Sequence, residues 1–164
     1  MAITNSSGLY YPLTKMNFLV TVTGVDGVAA FSEVTGFDAT VDVIEFRQGN
    51  SSSLAPVKLP GLVKHGNVTL KMGYVRDQAF KTWVQDCVSE HRPELKRQTV
   101  TIELIDISGD APESIQETST NSGLTWILKD AWVCKYTGPD LNASTSEVAI
   151  ESVEIAYEEL VIPN

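Results

Sequence analysis

From residue 18 onward the chain alternates apolar and polar positions in short runs. Phe18, Val20 and Val22 share one side and Thr21 and Thr23 the other, the period-two pattern of a half-buried strand. Asp26-Gly27 is hairpin turn chemistry, and residues 29–35 form the expected return strand. After Gly36, the residues Phe37, Ala39, Val41 and Val43 oppose Asp38, Thr40 and Asp42. The phase then slips at Ile44-Glu45-Phe46, as at a bulge or a strand end. QGNSSSLA, residues 48–55, is uncharged and reads as a flexible loop, with Pro56 and Pro60-Gly61 beyond it. Residues 67–72 alternate cleanly, with Val68, Leu70 and Met72 inward. Residues 37–73 are therefore predicted to be one hairpin whose tip, 48–61, is long for such a connection.

One helix is predicted over about 77–90. Asp77 is a good N-cap, Pro93 blocks continuation, and Ala79, Phe80, Trp83, Val84, Cys87 and Val88 form a stripe at helical spacing. Such a stripe is the face a helix lays on a core. Two more strands follow at 98–107 and 125–135, separated by the polar, acidic stretch 108–123, which reads as a mobile loop. Gly138-Pro139-Asp140 then breaks the chain before a last long strand pairs with the one preceding it. In that strand Val148 and Ile150 share one parity, and Val153, Ile155 and Tyr157 the other. This predicts a bend near Glu151-Ser152, where the strand passes from one sheet to the other. The sum is a mainly β protein: two packed antiparallel sheets, as a sandwich or open barrel, with one flanking α-helix.

The length, 164 residues, fits a single domain over 1–164 with an N-terminal arm at 1–15. A net charge of −9 argues against binding nucleic-acid backbones or anionic lipid, which calls for clustered Lys and Arg. The first residues lack the charged-then-apolar order of a signal peptide, so synthesis and folding in a cytoplasm is expected. No run approaches the ~20 apolar residues of a membrane helix, so no membrane anchor is expected. Cys87 and Cys134 stand far apart, outside any metal spacing, and read as buried thiols. His65 and His91 have no ligand-spaced neighbours, and no phosphate-binding or nucleophile-elbow motif occurs. The carboxylates of Asp38 and Asp42, and of Glu151, Glu154, Glu158 and Glu159, fall on strands whose alternation puts them on solvated faces. No catalytic residue, metal ligand or cofactor is expected.

Two function classes remain. Long two-faced hairpins with no obvious cover expose strand edges, which identical copies can resolve by closing a ring. The alternative is a monomeric β-sandwich binding module for carbohydrate or a similar ligand, using Tyr10, Tyr11 or Trp126.

Several segments, in order and through nearly the whole chain, decide between these. NFLVTVTGVDGVAAFSEVTGFDATVDVIEFRQG, LPGLVKHGNVTLKMG and DAWVCKYTGPDLNASTSEVAIESVEIAYEEL carry Phe-Ser-Glu-Val-x-Gly, Ile-Glu-Phe-Arg-x-Gly, Leu-Pro-Gly and Gly-Pro-x-Leu-Asn-Ala elements. The chain resembles the tail tube proteins of contractile phage tails and related contractile injection systems. Val133 departs from the pattern, where a Pro commonly follows the Trp, and the 108–123 loop is longer and more acidic than usual. The resemblance implies self-assembly into hexameric rings that stack as a hollow conduit for DNA or an effector protein. It further implies a surrounding contractile sheath, a baseplate and tube-terminator proteins as partners. Long hairpins of all subunits would join a ring-wide inner β-barrel, with inner strands from 38–47, 67–73, 99–105 and 125–130. Asp38, Thr40, Asp42, Thr69, Thr101, Glu103 and Thr125 would then face the lumen. Residues 48–61, including Gln48, Asn50, Ser52, Leu54, Pro56 and Leu59, would reach a neighbouring ring.

Overall fold

The structure is a computed structural model, described here for residues 18–25, 31–73, 78–89, 96–105, 122–144 and 147–163. The strands are β1 (Phe18–Val22), β2 (Phe31–Thr35), β3 (Ala39–Phe46), β4 (Val57–His65), β5 (Val68–Gly73), β6 (Gln98–Ile105), β7 (Ser122–Thr137), β8 (Ile150–Ala156) and β9 (Glu159–Val161). The helix α1 is Gln78–Val88. Asp77, Glu90, the Asp26-Gly27 turn, residues 1–15 and all but the end of 108–123 lie outside the described residues.

Among the described residues, seven strands hydrogen-bond in the order β1-β6-β7-β8-β5-β2, with β9 also on β7, and β3 pairs with β4 alone. All pairings are antiparallel. The organising strand is β7. Its first part, up to Ala131, pairs with β6, and from Trp132 onward it pairs with β8. At the change stands Asp130 with φ 52°, a left-handed conformation that Asp tolerates better than most residues. A shift in register between Val133 and Lys135 adds a bulge just beyond. One long strand thus turns a corner and serves two sheet halves.

Alternation places Val20, Val22, Val100, Ile102 and Leu128 on the inner face of one half and Val68, Leu70, Val133, Val153 and Ile155 on that of the other. These residues and the helix residues Phe80, Trp83, Val84 and Cys87 form one core. Trp83 donates its indole N–H to the carbonyl of Lys96 at 2.8 Å, so the ring is buried without an orphan donor. The Cys87 thiol is pushed up from its ordinary 9.0, first by burial, and stays protonated. Cys134 is half-buried rather than buried and donates to the carbonyl of Glu154.

Three expectations need correction. β1 and β2 are not a hairpin: they stand at opposite ends of the strand order, each paired with a distant segment. The long hairpin joins β3 to β4, not to 67–73, and Pro60-Gly61 lies inside a strand instead of a loop tip. The final strand has no bend at Glu151-Ser152. Its register with β5 runs unbroken from Ile150 to Ile155, because Glu151 takes the inward position that alternation assigns and is only 5% exposed. The passage to the other half comes later, after Ala156, when β9 pairs with the first part of β7.

Candidate functional site

The β3–β4 ribbon stands apart from the core. Strands of eight and nine residues span roughly 26–30 Å at about 3.3 Å per residue. Every residue of β3 is exposed, and so are all of β4 except Gly61 and His65. An isolated two-stranded ribbon is marginal in water, and this one carries large apolar side chains on both faces. Phe46 is 55% exposed and Leu62 73%.

Register defines the two faces. Cross-strand partners put Ala39, Val41, Val43, Glu45, Lys58, Pro60, Val63 and His65 on one face. Thr40, Asp42, Ile44, Phe46, Val57, Leu59 and Lys64 occupy the other. On β4 the register shifts by one residue at Gly61-Leu62 opposite Asp42, a bulge that accommodates Pro60 in a strand. Gly61 has no room for a side chain there, since a Cβ would lie 2.9 Å from the carbonyl oxygen of Asp42. The polar groups of each face pair internally: Lys64 with Asp42 at 2.8 Å, and Lys58 with Glu45 at 3.8 Å.

The tip between the strands is ordered by its own serines. Ser51 donates its N–H to the carbonyl of Gln48, Ser53 its N–H to the Ser51 hydroxyl, and Arg47 its Nε–H to the carbonyl of Ser53. These are the local turns that short hydroxyl side chains favour. Gln48, Asn50, Ser52, Leu54 and Pro56 are all exposed in this tip, whereas Leu59 belongs to β4.

The ribbon is fastened at its root. Gly36 has φ 97°, and a Cβ there would collide with the backbone carbonyl of Asn67. Phe37 stacks on Trp126 with ring centres 4.9 Å apart. Trp126 is therefore covered by the chain's own aromatic ring and is not the free platform a carbohydrate site needs; Tyr10 and Tyr11 lie outside the described residues. Asp38 accepts the N–H of Gly66 at 3.0 Å and, through its carbonyl, the hydroxyl of Tyr157 at 3.1 Å. The Tyr157 phenol is pushed above its ordinary 10.0 by burial, then by the Asp38 carboxylate, and so remains a donor. His65 packs against the Tyr157 ring at 5.1 Å, and its Nδ1 is buried with no hydrogen-bond partner among the described residues.

The proposed lumen residues divide among three surfaces. Thr101, Glu103 and Thr125 come together on the outer face of one sheet half, where Glu103 sits opposite Thr125 and Thr101 opposite Ile127. Thr69 lies on the outer face of the other half, opposite Thr35 and Glu154. Thr40 and Asp42 share one face of the ribbon, with Asp38 at its root. Of the apolar residues of β4, Leu59 was expected in a loop, while Val57, Leu62 and Val63 were not singled out, because Pro60-Gly61 breaks the alternation of the strand. Elsewhere, a cavity of about 170 Å³ lies between α1 and the β5–β8 half. It is lined by Met72, Lys81, Val84, Gln85, Val88, Tyr136 and Glu151, with no Ser, Thr, Cys or His among them. Among the described residues no three His, Cys, Asp or Glu side chains group as metal ligands.

Residues 14–161 match a family model described as the T4-like virus tail tube protein gp19. No curated protein matches. Among solved structures, a chain of the PVC extracellular contractile injection system, from its sheath-tube complex in the extended state, is 22% identical. The match covers 98% of this chain and 99% of that one, with a TM-score of 0.74. A chain of the anti-feeding prophage tube-terminating cap is 24% identical over 99% of both chains, with a TM-score of 0.73. One from the six-fold symmetrised anti-feeding prophage baseplate is 20% identical over 94% and 97%, also with a TM-score of 0.73. These likenesses establish a shared fold.

Proposed function

The chain belongs to the T4-like virus tail tube protein family, and on that premise we propose that it forms six-membered rings stacking into a hollow inner tube. The observation that carries this reading is the ribbon: an exposed, apolar, two-stranded element that the chain's own core does not cover. β1 and β2 also end the strand order with one edge unpaired among the described residues. Edges and faces of this kind are stable when other copies cover them.

In this reading the ribbons and neighbouring strands of all copies join into an inner β-barrel. Asp38, Thr40, Asp42, Thr69, Thr101, Glu103 and Thr125 line the lumen, which carries DNA or an effector protein. A net charge of −9 suits a passage along which a phosphate backbone slides without sticking. The tip, with Gln48, Asn50, Ser52, Leu54 and Pro56, and the adjoining Leu59 meet the next ring. The sheath, tube terminator and baseplate are the expected partners, since the similar chains come from a sheath-tube complex, a tube-terminating cap and a baseplate. No helix among the described residues is long and apolar enough to cross a membrane. In this reading the protein acts as a structural subunit of the tube and not as an enzyme, as its membership of a tail tube family supports.

Negative-stain microscopy of the purified protein at high concentration tests the proposal. Hollow rings or tubes with six-fold end views are expected, and a uniform field of monomer-sized particles would overturn it.

A further inference from the structure

The two faces of the ribbon change character halfway along, and they do so in opposite senses. Near the root, one face is apolar (Val41, Val43, Pro60, Val63), while the other carries Thr40 and the Asp42–Lys64 pair. Near the tip the order reverses. The first face now carries the Glu45–Lys58 pair, and the second is apolar (Ile44, Phe46, Val57, Leu59). Both strands make the switch at the same level, between Val43 and Ile44 in β3 and between their partners Pro60 and Leu59 in β4. In β3 the apolar parity changes between Val43 and Ile44 with the backbone continuous. In β4 the residues Val57, Leu59 and Val63 share one sequence parity, and the bulge at Gly61-Leu62 sends Val63 to the opposite face. The agreement yields two apolar patches of four side chains each, on opposite faces and at opposite ends.

From this pattern we propose that the ribbons of successive copies overlap like shingles. The apolar tip face of one chain, Ile44, Phe46, Val57 and Leu59, lies on the apolar root face of another, Val41, Val43, Pro60 and Val63. The proposal rests on the tube-subunit reading and names the surfaces that mate within it. Copies stacked in full register would set each apolar half against a charged half. Sliding one ribbon by half its length, four residues or roughly 13 Å, brings apolar onto apolar. The charged halves need no partner of opposite sign, because each is already neutralised within its own ribbon. A root patch lies beside the body of its own subunit, so a second root would bring a second body into the same space. The projecting tip is slender enough to reach it. Contact between unlike patches is head-to-tail, the kind that closes a ring or continues as an open stack according to its rotation, and so suits a tube of rings.

Single added cysteines on the exposed ribbon test this without touching the core. Val43→Cys marks the root face and Phe46→Cys the tip face. Each is assembled alone and in an equimolar mixture with one partner tagged, then treated beside the unmodified protein with a short bifunctional thiol reagent that spans the roughly 10 Å between stacked sheets. A covalent root–tip dimer is expected in the mixture and in neither variant alone, and a chain carrying both cysteines should give a ladder of multimers. If the unmodified protein forms tubes but either single variant cross-links to itself as well as the mixture does, or no root–tip product forms, the shingled arrangement is wrong while the tube reading stands. If the unmodified protein forms no tubes, both fall. As a second measure, Val43→Ser and Phe46→Ser should each raise the concentration needed for assembly, and the double variant should raise it by less than the two effects combined. Strictly additive effects would mean that the two patches have separate covers.

Discussion

Gly36 and Gly66 hold the root of the ribbon under different constraints. At Gly36 the obstacle to a side chain is the fixed carbonyl of Asn67, and φ 97° is itself costly for any other residue. At Gly66 the obstacle is the Asp38 carboxylate, which can swing aside if it releases the Gly66 N–H. Urea unfolding should therefore show Gly36→Ala as the worse change, at about 1–3 kcal/mol, and Gly66→Ala as a loss of about 1 kcal/mol. Tyr157 adds a pH dependence. The folded state holds its phenolic proton more tightly than the unfolded chain does, so this contribution is complete below the ordinary 10.0. It is lost as pH climbs through the raised folded value. Tyr157→Phe should flatten the alkaline limb of stability against pH, leaving the losses from Cys87 and Cys134, whose thiols burial also raises and which begin nearer their ordinary 9.0. A third contrast separates core from ribbon. Ile155 is 0% exposed, and Ile155→Asp buries an unpaired carboxylate at about 3–5 kcal/mol, enough to unfold a marginal domain. Asp42→Lys breaks only an exposed pair with Lys64, so circular dichroism should show a folded subunit changed by less than about 1 kcal/mol.

At the scale of elements, the tip and strands of the ribbon are separable from the body. Deleting residues 50–53 removes serine turns that touch nothing in the core. Its thermal midpoint should be unchanged, while tube lengths measured in micrographs become shorter; tubes of normal length would refute the tip as the contact between rings. The same division explains what the sequence could show. The core strands were legible because one face is buried and the other solvated, so Val68, Leu70 and Met72, or Val100, Ile102 and Leu128, alternate with polar neighbours. The helix was legible from its stripe, although Val88 at its end is largely exposed. β4 was hidden because Pro60-Gly61 is ordinary loop chemistry, which an edge strand with a bulge opposite Asp42 can nonetheless hold. The corner in β7 had no signal either, since Asp130 reaches φ 52° without the Gly that usually advertises such a turn. Glu151 misled in the other direction. A charged residue at an inward position imitates a phase slip that the backbone does not make. Among the candidate site residues, which the family resemblance supplied, Thr69, Thr101, Glu103 and Thr125 lie on strands that alternation marked, whereas Leu59 was assigned to a loop and lies in a strand.

For the whole molecule, the account holds that a self-sufficient body carries a ribbon whose purpose is contact with other copies. The body contains the entire core cluster, and no ribbon residue belongs to it. Ala39 and His65 are direct cross-strand partners, so residues 40–64 can be replaced by an Asn-Gly turn that closes the hairpin at its root. Sedimentation velocity of the full chain and of this shortened chain, at equal concentration, measures the claim directly. Fast-sedimenting assemblies are expected for the full chain and a folded monomer for the shortened one. A full chain that stays monomeric, or a shortened chain that assembles as well as the full one, would contradict it.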